Sequence, residues 1–315
     1  MDNKSKKELR REDMTIHEMP LVSVIITTYR RPKMLKRAIN SVLDQTYENI
    51  EVVVVDDNNP ETEGRKETEE LMLCFKDFTN VKYIKHPRNM NGAAARNTGI
   101  KNSSGEIVSF LDDDDWYLRE KIEKQVKYLV ANPEYDAVYC GWERDNKTYL
   151  STKEGDLTFG ILSGINLVIT NTIMMYKDAA IKCGGWDERF KRSQEPVFLL
   201  RYFDKGYKMG VVTEKLVVFD TSDRSNANEP RKKEETIDFF LKVHEKQIAE
   251  CDAKIKNGKK TIYSYRYRSV LLSYLKRKDY KGAIKLYIKM MKYIPLKFNK
   301  DLLMYTKKKI LTKKG

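Results

Sequence analysis

The chain has 315 residues, 41% of them hydrophobic and 34% charged, with 19 Tyr, 11 Phe and 3 Trp. That is enough for about two domains of roughly 100–200 residues with a buried core, which excludes a disordered chain or a small stapled scaffold. The formal charge of +14 is unevenly placed: residues 231–315 hold 25 Lys/Arg against 8 Asp/Glu, so the body is mildly acidic and the C-terminal quarter is cationic.

Residues 1–20 form a polar, charged tail with no apolar stretch of the kind a secretory signal needs. From residue 21, short β-branched runs alternate with segments of helical period. Strands are predicted over Val22–Thr28, Ile50–Val55, Val81–Lys85 and Glu106–Leu111. Helices are predicted over Lys33–Leu43, a charged stretch ending near Phe75, Asn91–Lys101 and Leu118–Val130. This is the rhythm of an α/β, doubly wound, mostly parallel sheet. Val22-Ser-Val-Ile-Ile and Val52-Val-Val-Val are nearly continuous apolar runs, as strands covered on both faces should be.

After about residue 135 the rhythm loosens. Tyr135–Cys140, Leu167–Tyr176 and Val211–Val218 are candidate strands, with a turn at Cys183-Gly-Gly-Trp-Asp. From Glu235 the pattern is helical and basic, and Leu275–Tyr287 is similar to a single tetratricopeptide-like helix-turn-helix. The division is therefore a tail at 1–20, an α/β domain at 21–225 in two halves (21–130 and 131–225), and a basic helical region at 226–315. Tyr263, Tyr265, Tyr267 and Tyr274 alternate with basic residues there, and core packing accounts for them better than a nucleic-acid groove does. Cys74, Cys140, Cys183 and Cys251 show no CxxC spacing, so a reducing cytoplasm is expected. No run nears the roughly 20 apolar residues of a spanning helix, which leaves peripheral contact at the inner face of the membrane.

In open α/β sheets the ligand lies beyond the carboxyl ends of the strands. Three of those ends are strongly polar: Thr27-Thr28-Tyr29-Arg30, Asp56-Asp57-Asn58-Asn59 and Asp112-Asp113-Asp114-Asp115-Trp116. Four consecutive carboxylates repel one another unless a cation intervenes, and oxygen donors suit Mg²⁺ or Mn²⁺. A solvated acidic turn capping the next helix is the competing reading. Asp56-Asp57 is either a capping turn or an acceptor for ribose or base N–H groups. Asn91-Gly-Ala-Ala-Ala-Arg96-Asn97-Thr-Gly99 opens a helix with small residues, and Arg96 adds a fork suited to a diphosphate. There is no GxGxxG fingerprint or Walker loop.

Taken in order, LVSVIITTYRRP, VVVVDDNNPET, NGAAARNTGI, GEIVSFLDDDDW and GGWDERFKRSQEP resemble glycosyltransferase family 2 over about residues 21–225. The resemblance implies a GT-A fold and inverting, metal-assisted transfer of a sugar from a nucleoside-diphosphate donor, with UDP the expected nucleotide. It makes residues 21–130 the nucleotide-sugar half and 131–225 the acceptor half, and it assigns Thr27, Tyr29, Arg30, Asp57, Arg96, Asp112 and Asp113 to nucleotide binding, Asp113 at the ribose, and Asp114 with Asp112 to the metal. Glu195 falls at the catalytic base, and Trp186 and Asp187 fall near the acceptor. Two departures stand out. Pro196-Val197-Phe198 follows Glu195 where many relatives have a further acid and an aromatic, and Phe219-Asp220-Thr-Ser-Asp223 lacks a histidine that many carry after the last strand.

The acceptor implied is a glycan or lipid-linked species of surface polysaccharide synthesis. The cationic C-terminal region, ending in Lys307-Lys-Lys-Ile-Leu-Thr-Lys-Lys, suits an anionic membrane surface or a homo-oligomer contact. The alternative reading is a non-catalytic protein that binds a sugar nucleotide or a polyanion.

Overall fold

The structure is a computed structural model that describes residues 19–166, 168–222 and 229–311, with side chains to residue 305. Most of the N-terminal tail, Leu167, Asp223 and the side chains of the terminal lysine run lie outside the described residues. The chain divides into two compact units, one of residues 1–152, 170–185 and 210–220, the other of 153–169, 186–209 and 221–315.

The first unit is built on a nine-stranded sheet: β1 (Val22–Thr28), β2 (Ile50–Asp56), β3 (Val81–Lys85), β4 (Ile107–Asp112), β5 (Trp116–Tyr117), β6 (Ala137–Arg144), β7 (Lys147–Tyr149), β8 (Met174–Tyr176) and β9 (Met209–Phe219). The order is β3-β2-β1-β4-β8-β6-β9-β5, with β7 paired to β6. β3, β2, β1 and β4 run parallel, while β8 joins β4 antiparallel. β2 is buried throughout, as the apolar run of residues 52–55 at its centre requires.

Four helices connect the parallel strands and lead to β6: α1 (Pro32–Leu43), α2 (Glu63–Met72), α3 (Gly92–Asn102) and α4 (Lys121–Ala131). α1 starts on Pro32, whose fixed φ suits a first turn, and buries Leu35, Ala38, Ile39 and Val42 at helical spacing. α3 buries Ala93, Ala94, Ala95 and Gly99. A Cβ on Gly99 would stand 2.2 Å from the Ile25 side chain, so only glycine lets the helix lie this close to β1. The short helix α5 (Thr158–Ser163) belongs to the second unit, and α6 (Lys177–Lys182) to the first.

The segment expected to be a strand from Leu167 to Tyr176 is a correction. Thr170–Thr172 form a 3₁₀ turn, and only Met174–Tyr176 is extended. The physical reason is Asn171, whose side chain is buried and hydrogen-bonded to the acidic turn after β4, holding the chain out of the sheet.

The second unit is helical, with α7 (Gln194–Asp204), α8 (Pro230–Val243), α9 (Glu245–Lys254), α10 (Gly258–Lys276), α11 (Tyr280–Tyr293) and α12 (Pro295–Leu311). Asp279 caps α11 by accepting from the Gly282 N–H at 2.9 Å. A Cβ on Gly282 would meet the Tyr274 ring at 2.4 Å, so the helix-turn-helix closes tightly. Tyr267 and Tyr274 are buried as expected, with hydroxyls donating to Asp238 and Glu234.

Candidate active site

Parallel register brings the three polar strand ends together: Thr27 pairs with Asp112 across β1 and β4, and Thr28 with Asp56 across β1 and β2. Thr27 is half-buried beside Asp112. Arg30, at φ 62° just past the strand, points its guanidinium 4.8 Å from the Tyr29 ring and anchors its N–H on Asn58 Oδ1 at 2.9 Å.

The four carboxylates after β4 differ sharply in environment. Asp113 turns inward and is fully buried, accepting from Thr28 Oγ1 at 2.7 Å and the Tyr29 N–H at 3.1 Å, with Arg31 2.9 Å away. Burial pushes its carboxyl up to about 7 against the pull of Arg31. Asp115 accepts from the Asp220 N–H at 2.8 Å and from Asn171 Nδ2. Burial first, then the charges of Asp114 and Asp112, push it up to about 9. Asp114 is also raised, by burial and then by Asp112, while Arg31 pairs with it and opposes the rise. Asp112 keeps about a third of its side chain exposed and takes Arg96 Nη2 at 2.5 Å.

Arg37 closes the group. One Nη2 reaches the Asp114 carbonyl at 2.5 Å and Asp220 at 2.7 Å, and its guanidinium stacks 4.2 Å from the Trp116 ring. Five carboxylates (Asp112, Asp113, Asp114, Asp115 and Asp220) thus face three guanidiniums (Arg31, Arg37 and Arg96). If all were ionised the excess would be two negative charges. Oxygens of Asp112, Asp114 and Asp115 lie within 4.8 Å of one another. Hard oxygen donors with that excess fit one Mg²⁺ or Mn²⁺. Beside the cluster, a cavity of about 660 Å³ is lined by Lys33, Lys36, Arg37, Arg119 and Trp116, with Asp44 its only acid.

Asp57 is placed differently. Its Oδ1 accepts from the Met90 N–H at 2.7 Å and meets His86 Nδ1 at 2.8 Å, while its Oδ2 accepts from the Asn91 N–H and Asn89 Nδ2, both at 2.9 Å. All four acceptor positions of the carboxylate are used, so a nucleobase N–H would have to displace one of these donors. Asp57 thereby fixes the loop entering α3. Asn91, at φ 84°, caps that helix by accepting from the Ala93 and Ala94 N–H groups. α3 in turn carries Arg96 to Asp112.

Three expected residues belong to the second unit. Trp186 is 1% exposed and stacked 4.4 Å from Phe198, so in this structure its ring packs the core and offers no face to an acceptor. Asp187 is gripped by Arg189 at 2.6 Å, with Arg201 at 4.0 Å, and the Arg189 hydrogen bonds hold its carboxyl below the usual range. Glu195 is half-buried in the first turn of α7, after Ser193 at φ 56°. Its charge reaches Arg266, a buried guanidinium that burial pushes down to about 10 and that donates to the Ile161 and Leu162 carbonyls.

Sequence reasoning missed Arg31, Arg37, Asn171, Asp220 and His86 as partners of the acidic groups. Arg31 was legible in principle, one residue past Arg30 at the same strand end. The others arrive from elsewhere in the chain and leave no local signal.

The family signature "Glycosyl transferase family 2" matches residues 23–185, about half of the chain. An uncharacterised glycosyltransferase of Methanocaldococcus jannaschii is 28% identical over 237 residues, 72% of this chain and 80% of its own length. An uncharacterised glycosyltransferase of Rickettsia bellii is 42% identical over 111 residues, and that match spans only 15% of the larger protein. Among solved structures, S. aureus TarS 1-349 in complex with UDP-GlcNAc superposes with a TM-score of 0.58 at 16% identity, covering 90% of this chain and 89% of its own. The mannosyltransferase PcManGT of Pyrobaculum calidifontis, in complex with GDP-Man and Mn²⁺, gives 0.57 at 18% identity over 95% and 89%. At those identities the two structures speak for the fold, a mostly parallel GT-A-like sheet with C-terminal helices. The signature, matched across the strand ends that gather the acidic turn, settles the rest: the chain belongs to glycosyl transferase family 2 and is a nucleotide-sugar glycosyltransferase.

Proposed function

We propose that this enzyme moves a sugar from a nucleoside-diphosphate sugar, with UDP the expected nucleotide, to a hydroxyl of a glycan or lipid-linked acceptor in surface polysaccharide synthesis. The observation that carries the reading is the convergence of Asp112, Asp114 and Asp115 oxygens within 4.8 Å at the end of β4. UDP-GlcNAc and GDP-Man in the structures named above support a sugar-nucleotide donor, and the Mn²⁺ in one of them supports a divalent cation.

In this reading Thr27, Tyr29, Arg30 and Asp57 surround the nucleoside, with Asp57 acting chiefly by fixing the loop into α3. Asp112 contacts the nucleotide, and Asp113, turned inward onto Thr28 and the Tyr29 N–H, serves the ribose side by holding that strand end. Asp114 and Asp112 hold Mn²⁺ or Mg²⁺, aided by Asp115, and a bound cation stabilises the charge that develops on the leaving diphosphate. Arg96 adds a fork to that diphosphate. Glu195 takes the proton from the acceptor hydroxyl, giving inversion in a single displacement. The Lys33, Lys36, Arg37 and Arg119 cavity suits an anionic portion of a substrate. Asp187 and the chain at Trp186 lie near the acceptor, with the Trp186 ring itself stacked on Phe198.

Calorimetric titration of UDP, GDP, CDP and dTDP, each with and without Mn²⁺, tests the donor half of this reading. Binding of one nucleotide that needs the metal and is lost in Asp114→Ala is the expected result. No binding under any condition would favour a non-catalytic module. Glu195→Gln should keep nucleotide affinity and lose turnover; retained turnover would remove Glu195 as the base.

A further inference from the structure

Helices α11 and α12 carry apolar side chains that stand in solvent. On α11, Ala283, Leu286 and Met290 are buried, whereas Tyr280 is 60% exposed, Ile284 60% and Ile288 62%. At about 100° per residue, Tyr280, Ile284, Tyr287 and Ile288 fall in one sector of the helix, separate from the buried face. Lys281, Lys285 and Lys292 line the flank of that sector. None of the three is in an ion pair among the described residues, and α11 has no acidic residue. On α12, Leu296 is 87% exposed and Leu303 61%, two turns apart on one face with Lys300 between them.

We propose that the exposed sector of α11 is a membrane-surface site that seats Tyr280, Ile284, Tyr287 and Ile288 at the headgroup boundary of an anionic bilayer, with the exposed leucines of α12 as a second apolar contact. Apolar side chains flanked by lysines on one helix are the pattern of an interfacial helix. Residues 231–315 supply the matching long-range attraction, with 25 basic against 8 acidic residues. Among the described residues no helix is long and apolar enough to cross a membrane, so the contact is peripheral. A second copy is the poorer occupant. A symmetric interface would pair this basic patch with a second copy of itself, whose α11 carries no acid to meet the lysines. The inference is independent of the sugar-transfer reading, since it involves no nucleotide.

Cosedimentation of the full chain with vesicles of phosphatidylglycerol in phosphatidylcholine, and of phosphatidylcholine alone, tests it. The expected result is binding to the anionic vesicles that weakens as salt rises. Ile284→Glu/Ile288→Glu and Lys281→Glu/Lys285→Glu/Lys292→Glu should each weaken it at least about tenfold. Leu73→Glu, an exposed apolar site of the first unit at 65% exposure, should bind as the parent does. Circular dichroism confirms that the variants fold, which the exposure of every substituted residue favours. Equal partition to neutral vesicles, or no binding to either, overturns the proposal. So does a dimer in light scattering that Ile284→Glu/Ile288→Glu dissolves.

Discussion

Two acidic clusters stand at the ends of β2 and β4, the strands on either side of β1, and they have opposite electrostatic characters. Asp57 accepts from two backbone N–H groups and one amide and pairs with His86, while Asp56 beside it takes Arg65 Nε at 3.0 Å and the Tyr83 hydroxyl at 2.6 Å. Those carboxylates are satisfied by the protein itself. The turn at Asp112–Asp115 is underpaid by its own arginines: burial and mutual repulsion raise Asp113, Asp114 and Asp115 together. A saturated carboxylate builds a loop, and a crowded one invites a cation. Residue type does not separate the two roles; the donors each group has already found do.

The largest effect expected from that contrast is on Asp114. Asp114→Ala should lower metal-dependent turnover by at least about 100-fold, because a bound cation is worth several kcal/mol of charge stabilisation. Thermal stability should hold or rise, since one of several repelling charges is removed. A variant that unfolds as readily as an Asp57 variant would erase the distinction. Asp57→Asn should do the reverse. It turns an amide NH₂ toward N–H donors of residues 89–91 and should cost about 3 kcal/mol in urea unfolding. A change under about 0.5 kcal/mol, the ordinary scatter of surface substitutions, would show that Asp57 is not structural.

Much of this contrast was legible in the sequence, though not its sense. The parallel strands were readable because buried parallel strands need nearly continuous apolar runs, and residues 22–26 and 52–55 are such runs. The acidic turn was readable because a strand end in this architecture is a site. Asp57 carried the same local signature as Asp112, and only the fold shows that residues 86–91 close over one and not the other. Asn171 lay inside a stretch whose composition favours a strand, and a single buried amide, held by Asp112 N–H at 2.9 Å and by Asp115, overrides that propensity. Trp186 sat in a motif whose resemblance placed it at an acceptor, while its stacking on Phe198 is a long-range packing fact.

A buried cation extends the comparison to the opposite sign. Lys121 is fully buried, donates to Ser109 Oγ at 2.9 Å and Gln125 Oε1 at 2.7 Å, and lies 4.0 Å from the Tyr117 ring. Burial pushes its ammonium down to about 8. Below that pH both folded and unfolded states are protonated and the burial cost is present in full. Between pH 8 and the ordinary lysine value of 10.5 the folded protein loses the proton first, the unfolded state binds more protons, and stability rises with pH. Subtracting Lys121→Met cancels the tyrosines that titrate nearby. From pH 7.5 to pH 10 the parent should gain about 2 kcal/mol on the variant in urea unfolding, and a flat difference would mean the ammonium is solvated.

The smallest effect tests how the two clusters are joined. Asn91 gives its N–H to Asp57 and its side-chain oxygen to the first turn of α3, the helix that carries Arg96 to Asp112. Asn91→Ala removes the cap and places a Cβ residue without a local hydrogen bond at φ 84°, which should cost about 1–2 kcal/mol. Asn91→Gly keeps the backbone conformation at little strain and should cost only a few tenths. If α3 transmits the order of the Asp57 loop to Arg96, nucleotide affinity should fall in the alanine variant and largely recover in the glycine one. Equal loss in both would assign the effect to the cap oxygen. Unchanged affinity in both would mean that Arg96 is held from β4 alone and that the saturated cluster serves the fold without serving the site.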